Sequence, residues 1–143
     1  MQHLAIMKPE WGFLPKIVAR QKTIESRWLI NKSAPWDKVS IEDSIYFKDS
    51  GQPITARAFV ENVMQFDDLT PKRVQAILDQ FGRAIGLDPI EIEPFYKIVR
   101  DKRFCVLIFI KQAHEVDPFD IDKSGFGAQA AWITAPSIKA FAI

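Results

Sequence analysis

The spacing of apolar residues divides the first half of the chain into four strands and one helix. The helix is predicted over Phe13–Ala19. Leu14, Ile17 and Val18 follow the i, i+3, i+4 spacing of one helical face, and Pro15 is tolerated in the first turn. The strands are predicted at His3–Met7, Thr23–Leu29, Ser44–Lys48 and Ile54–Phe66, with a bulge or bend in the last.

The clearest element of the second half is a helix between Thr70 and Gly86. Thr70 is a good N-cap, Pro71 suits the first helical position, and Gly86 suits the C-cap. The apolar stripe of this helix consists of Val74, Ile77, Leu78, Phe81 and Ile85. The remaining predicted elements are a short helix at Pro94–Arg100, a buried strand at Phe104–Gln112, a loop or edge at Glu115–Ile121, and a strand at Ala128–Thr134 that closes the sheet.

Five or six strands with helices inserted between them predict an α+β fold, a small mixed β-barrel. Parallel βαβ winding is disfavoured because the strands are not separated by regular helices. No repeat, low-complexity tract or linker interrupts the sequence. Residues 1–143 are therefore interpreted as a single domain.

Composition and charge exclude several classes of protein. Hydrophobic residues make up 48% and charged residues 26% of the chain, which is a globular balance. The net charge is +1, whereas a protein that binds duplex DNA through bulk charge is usually far more basic. Residues 1–58 hold nine Lys or Arg against six Asp or Glu, so a nucleic-acid partner would be bound by a local cleft.

The cysteine content and the apolar runs indicate an intracellular protein. The single cysteine, Cys105, lies among apolar residues and is expected to be a buried thiol in a reducing compartment. The longest apolar run, Phe104–Ile110, is too short to cross a bilayer. Residues Met1–Met7 lack the features of a signal peptide. We therefore expect a cytoplasmic location without membrane contact.

The densest group of chemically active residues is Lys22, Glu25 and Arg27. On a strand, Glu25 and Arg27 share one face with Thr23, whereas Lys22 lies at a turn where alternation cannot place it. A carboxylate between two cations could bind phosphate and move protons. Spacing alone favours the plainer alternative, a surface strand with a weak ion pair.

Two further segments could form the walls of a binding site. Tyr46 and Lys48 share a strand face that ends near Ser50, and an aromatic ring beside a cation can hold a base and its phosphate. Ser124 and Gly125 lie in a segment whose backbone N–H groups could meet an anion. The alternatives are an ordinary barrel strand and a connecting loop. Neither histidine has a partner at ligand spacing, so no metal site and no cofactor are predicted.

Several of these stretches resemble the ASCH family. The family signature is Gly-x-Lys-x-x-Glu-x-Arg after the first helix, and Lys22, Glu25 and Arg27 match it. Arg20 replaces the signature glycine, and it is expected to change only the turn, at a negative φ. The likeness extends over most of the chain through the segments Ile6–Pro9, Ile45–Gly51 and Lys123–Gly127.

The resemblance implies a PUA-like barrel with a cleft that binds RNA or a modified nucleoside. The ligand-binding residues that it implies are Lys22, Glu25, Arg27, Tyr46, Lys48, Ser50, Ser124 and Gly125. Trp11 and Trp36 lie in loops that could rim the cleft.

Two other classes of function stay open at this point. Some ASCH proteins are amidohydrolases of N4-acylcytidine, and others are ribonucleases that need no metal. In such a hydrolase Lys22, Glu25 and Arg27 would be catalytic, but Glu25 stands where the amidohydrolases carry a nucleophilic threonine. The third class is a protein-interaction domain. The expected state is a monomer.

Overall fold

A computed structural model describes residues 1–127 and 129–143 of the chain. In these residues the strands are β1 (Gln2–Met7), β2 (Ile24–Leu29), β3 (Ser44–Asp49), β4 (Ile54–Phe66), β5 (Phe104–Phe119) and β6 (Trp132–Ala135). The α-helices are α1 (Phe13–Val18), α2 (Pro71–Ile85) and α3 (Ile92–Val99). Short 3-10 turns occupy Pro9–Trp11, Pro89–Glu91 and Lys139–Phe141.

The six strands of the described residues form one curled sheet in the order β2-β5-β4-β3-β1-β6. The pair β1–β3 is parallel, and the other neighbouring strands are antiparallel. The expected α+β class and the small mixed barrel are confirmed. The barrel is open, because β2 and β6 are edge strands and no backbone pairing joins them in the described part of the chain. We call the gap between these edges the seam.

The long strands β4 and β5 carry the curvature of the sheet. Their pairing shifts register at three places, and Gln112 has a φ of +56°. The segment predicted as a loop or edge, Glu115–Ile121, is an edge for most of its length, because β5 continues through the irregular stretch to Phe119 and pairs there with β4 but not with β2. The bulge interrupts the alternation by which a strand is recognised. The predicted closing strand is β6, and its predicted first residue, Ala128, lies outside the described residues.

Helix α2 has the caps and the buried face that its sequence predicts. The Thr70 hydroxyl accepts a hydrogen bond from the Arg73 N–H at 3.1 Å. Gly86 ends the helix with a φ of +109°, a left-handed conformation that disfavours residues with a side chain. The stripe residues are buried apart from Phe81, which is half-buried and packs edge-on against Phe109. This stripe attaches α2 to the inner face of the sheet.

The two faces of the sheet are both covered. The inner face packs with all three α-helices around a core that includes Ala5, Phe47 and Cys105. The outer face carries a smaller apolar cluster beneath the C-terminal residues: Leu4, Tyr46, Ile54, Ile121, Ile133, Ala135 and Ile138. Among the described residues, no helix is both long and apolar enough to span a bilayer.

Candidate functional site

Lys22 lies beneath the sheet rather than on its surface. Its side chain is 0% exposed, and its Nζ donates to the backbone carbonyls of Ile24 and Ile85. The Nζ also lies 3.2 Å from Glu25 Oε1. These three acceptors match the three protons of an ammonium group, so Lys22 connects the C-terminal end of α2 to the start of β2.

The turn that places Lys22 differs from its predicted geometry. Arg20 has a φ of +61°, so the expectation of a negative φ was wrong. This is the position at which the family signature has glycine, the residue that adopts a positive φ without strain. The turn allows the backbone N–H groups of Gln21 and Lys22 both to donate to the carbonyl of Lys16. Arginine thus adopts the turn that glycine usually makes, and its Nε donates to the carbonyl of Ala113 at 3.3 Å.

Glu25 forms a buried ion-pair network with Lys22 and Arg27. Its side chain is 3% exposed, and its Oε2 accepts a hydrogen bond from Arg27 Nη2 at 2.9 Å. Burial alone would raise the pKa of Glu25, but the charges and hydrogen bonds of Lys22 and Arg27 outweigh it and lower that pKa. Burial lowers the pKa of Lys22, and attraction to Glu25 offsets only part of this effect. The surface-strand alternative is therefore excluded by burial.

Arg27 bridges the seam of the open barrel. Its Nη1 donates to the carbonyl of Ala131 at 3.2 Å, and its Nη2 donates to the carbonyl of Ile6 at 3.3 Å. The guanidinium also lies over the ring of Trp132, with its Cζ 5.2 Å from the ring centroid. Side-chain hydrogen bonds from β2 therefore reach across the gap where backbone pairing is missing.

Glu25 and Arg27 open into a cleft of about 420 Å³, within the usual range for small-ligand sites. Its aromatic walls come from the first 3-10 turn, α1, β2 and α3: Trp11, Phe13, Trp28 and Phe95. Phe95 makes edge contacts with both Trp11 and Trp28, at centroid distances of 5.1 and 6.3 Å. Polar groups of the cleft include the hydroxyls of Ser26 and Ser50.

Three lysines also line the cleft, and they come from three separate segments. Lys8 follows β1, Lys102 follows α3, and Lys123 lies between β5 and β6. Lys8 and Lys123 belong to the stretches that resemble the family, but no pattern within the sequence assigns their side chains to one cavity. Lys102 lies in a run of charged residues, a pattern that is typical of an ordinary solvated surface.

Some of the other predicted site residues line this cleft and others do not. Ser50 lines it, whereas Lys22 and Lys48 do not. Tyr46 is 3% exposed in the outer-face cluster, with its ring edge-on to Phe119, so it is not free to stack on a base. Burial and the charge of Lys123 lower the pKa of Lys48, and the charge of Asp120 opposes them.

Two residues of the predicted loop site lie in an exposed turn. The Ser124 N–H donates to Asp122 Oδ1 at 2.9 Å, and Gly125 is exposed. Their neighbour Lys123 lines the cleft, but neither of them does. Trp11 lines the cleft as the sequence indicated, whereas Trp36 packs in the core against Phe104. Among the described residues, no group of three His, Cys, Asp or Glu side chains could hold a metal ion.

The fold is that of ASCH domains, a class of PUA-like barrels. The crystal structure of ASCH from Zymomonas mobilis superposes with a TM-score of 0.68 and 16% identity, over 97% of this chain and 90% of that chain. A tyrosine-to-phenylalanine mutant of the Zymomonas mobilis protein gives a TM-score of 0.64 at 15% identity, over 92% of this chain and 88% of that chain.

A second kind of protein shares the architecture less closely. The N-terminal domain of Staphylothermus marinus McrB has a TM-score of 0.53 and 13% identity, over 83% of this chain and 76% of that chain. No protein-family model matches the chain, and no curated protein matches it in sequence. The structural neighbours therefore support the ASCH assignment at the level of the fold.

Proposed function

We propose that the chain is a single ASCH-type domain that binds single-stranded RNA or a modified nucleoside in the cleft. One observation carries the proposal: the ion pair of buried Glu25 with half-buried Arg27 opens into a cavity walled by two tryptophans and lined by three lysines. Recognition of unpaired bases commonly combines aromatic stacking, hydrogen bonds to a base edge, and cations for the backbone.

The floor of the cleft is suited to the edge of a base. Glu25 uses one bond on each oxygen for Lys22 and Arg27, and a carboxylate can accept about four. The remaining capacity can accept from an exocyclic amino group. Because its cationic neighbours keep Glu25 ionised, the acceptor persists at neutral pH. Trp11 and Trp28 supply the flat apolar surfaces against which a base can pack.

The lysines are suited to the phosphates of a short strand. Lys8, Lys102 and Lys123 would take the role that the sequence assigned to Lys22 and Lys48. Neutralising three phosphates of a single strand predicts a salt slope of about −2, at about −0.7 for each contact. Binding through a cleft of this kind agrees with the small net charge of the chain.

The hydrolase alternative has no observation of its own in its favour. A general base works best when its pKa lies near the operating pH, and the pKa of Glu25 is shifted away from that range. The described residues that line the cleft place Ser26 and Ser50 there without a histidine beside them. Turnover is therefore measured as a separate arm of the binding experiment.

The experiment titrates the protein with short single-stranded RNAs, with cytidine and with N4-acetylcytidine at several salt concentrations. Lys102→Ala should weaken RNA binding and reduce the magnitude of the salt slope by about 0.7. Lys72→Ala is the matched control, because Lys72 is an exposed lysine on α2 that does not line the cleft. It should leave both the affinity and the slope unchanged.

Three outcomes would contradict the proposal. If the wild-type protein binds none of these ligands, an interaction domain is favoured. If Lys102→Ala and Lys72→Ala give the same salt slope, Lys102 does not contact phosphate in the cleft. Turnover by the wild type that Glu25→Gln abolishes, with binding retained, would indicate an enzyme instead.

A further inference from the structure

His3 is buried beneath the site in a network of directed hydrogen bonds. Its side chain is 0% exposed on the inner face of β1. Its Nε2 lies 2.8 Å from Asp43 Oδ2, and its Nδ1 lies 2.9 Å from the Thr134 hydroxyl. The indole Nε1 of Trp132 lies 3.2 Å from the same Nδ1.

These contacts fix the protonation of the imidazole. An indole N–H can only donate and the Asp43 carboxylate accepts from Nε2, so the two contacts together assign the ring proton to Nε2. The one lone pair of Nδ1 is then shared by the Trp132 N–H and the Thr134 hydroxyl. The single proton of the neutral ring is then on Nε2, which donates to Asp43. Protonation of Nδ1 would set two donors against each other at 3.2 Å.

The same indole is the surface against which Arg27 lies. The Arg27 Cζ is 5.2 Å from the centroid of the Trp132 ring, and the rings of Trp132 and His3 are 5.5 Å apart. The chain of contacts thus runs from Asp43 through His3 and Trp132 to Arg27. Trp132 itself does not line the cleft, whereas Arg27 does.

We propose that Trp132 is a positioning residue for Arg27, and that its indole is oriented by the neutral His3–Asp43 pair. This inference rests on the proposed function only in the step that makes Arg27 contact the ligand. The hydrogen bond fixes the plane of the indole, and the indole face fixes one side of the guanidinium. Protonation of His3 releases the indole and weakens the hold on Arg27.

The charged groups around His3 determine when this release occurs. Burial lowers the pKa of His3, and the Asp43 carboxylate opposes that effect. The amino group of Met1, 3.2 Å from Asp43 Oδ1, adds a repulsive positive charge. The Asp43 carboxylate also accepts a hydrogen bond from the Ser40 N–H at 3.0 Å. Protonation of His3 should therefore release the Trp132 indole in acid, below the ordinary titration range of histidine.

The test uses nitrogen NMR of the ligand-free protein over a pH titration. The chain has only two histidines, so the buried His3 and the exposed His114 give separable signals. We expect the neutral His3 to carry its proton on Nε2. The side-chain resonances of Arg27 should shift with the same midpoint as His3, because the Trp132 ring current acts on them.

Trp132→Phe keeps an aromatic ring and removes the N–H donor. It should raise the pKa of His3, uncouple Arg27 from the His3 titration, and weaken RNA binding about threefold to tenfold. Trp36→Phe is the matched control, because Trp36 is a buried tryptophan that packs on Phe104 away from the cleft. It should change none of these quantities.

The wild-type titration decides the inference even if Trp132→Phe fails to fold. A neutral His3 protonated on Nδ1, or Arg27 resonances that ignore the His3 titration, would overturn it. Coupled titrations in a protein that binds no RNA or nucleoside would uphold the positioning role and reject the proposed function. RNA binding without coupled titrations would uphold the proposed function and reject the positioning role.

Discussion

Replacing Lys22 by methionine tests the energetic role of the buried ion-pair network. Methionine retains the length and apolar stem of lysine but removes the ammonium group. The carbonyls of Ile24 and Ile85 then lose a donor, and Glu25 keeps Arg27 as its single cationic partner in the network. Ile24, Glu25 and Ile85 are buried, so water replaces the lost contacts poorly.

The expected loss of unfolding free energy is large for a single side chain. Breaking a buried ion pair by removing one partner costs about 3–5 kcal/mol, because the other charge stays buried without compensation. Typical domains are stable by about 5–15 kcal/mol, so the variant should fold only marginally. Lys16→Met is the matched control. Lys16 donates to the next carbonyl of the same helix end, Gly86, at 2.7 Å, but its side chain is 24% exposed.

Urea unfolding with linear extrapolation measures both variants. Lys16→Met should lose less than about 1 kcal/mol, as partly solvated cations usually do. Adding Glu25→Gln to Lys22→Met should recover part of the loss, which a double-mutant cycle reports as a coupling energy. Equal losses for Lys22→Met and Lys16→Met would refute the argument that burial makes the network strong.

Two further predictions concern the core and the pH dependence of stability. Val74 is 0% exposed on the apolar stripe of α2. Val74→Asp should therefore lower the free energy of unfolding by about 3 kcal/mol or more in the same urea assay. An unchanged urea midpoint would contradict the packing of α2 on the sheet. The pKa of His3 is lower in the fold than its ordinary value of 6.5, so the unfolded chain binds more protons below that pH. Stability should thus hold above about pH 6.5 and fall as the pH drops toward the folded pKa. His3→Leu should remove this pH dependence of stability. If the stability of His3→Leu still falls over the same pH range, other groups cause the dependence.

Helix α2 and strand β4 could be predicted because their local signals agree with the fold. Thr70, Pro71 and Gly86 mark the ends of α2, and the structure places those ends at the same residues. Strand β4 has the predicted bounds, Ile54–Phe66, including the predicted irregularity. Caps and alternating patterns of this kind depend on residues that are neighbours in sequence, so they can be recognised in a single sequence.

The site could be predicted only in part, because burial is a property of the assembled fold. Charged residues on a short strand normally indicate a solvated face, yet Lys22 and Glu25 are enclosed by the end of α2, which is distant in sequence. Tyr46 was expected in the cleft because alternation says which residues share a face but not which face a later segment covers. Lys8, Lys102 and Lys123 meet only once the sheet has curled.

The bridge that Arg27 makes across the seam limits how the protein could acquire a new ligand. The floor residues Glu25 and Arg27 belong to the network that also joins two edges of the sheet and, through Lys22, one helix end, so a substitution there changes affinity and folding together. The three lysines at the mouth of the cleft do not belong to this network. Divergence of specificity, whether by natural selection or by design, should therefore begin at the mouth while the floor is kept.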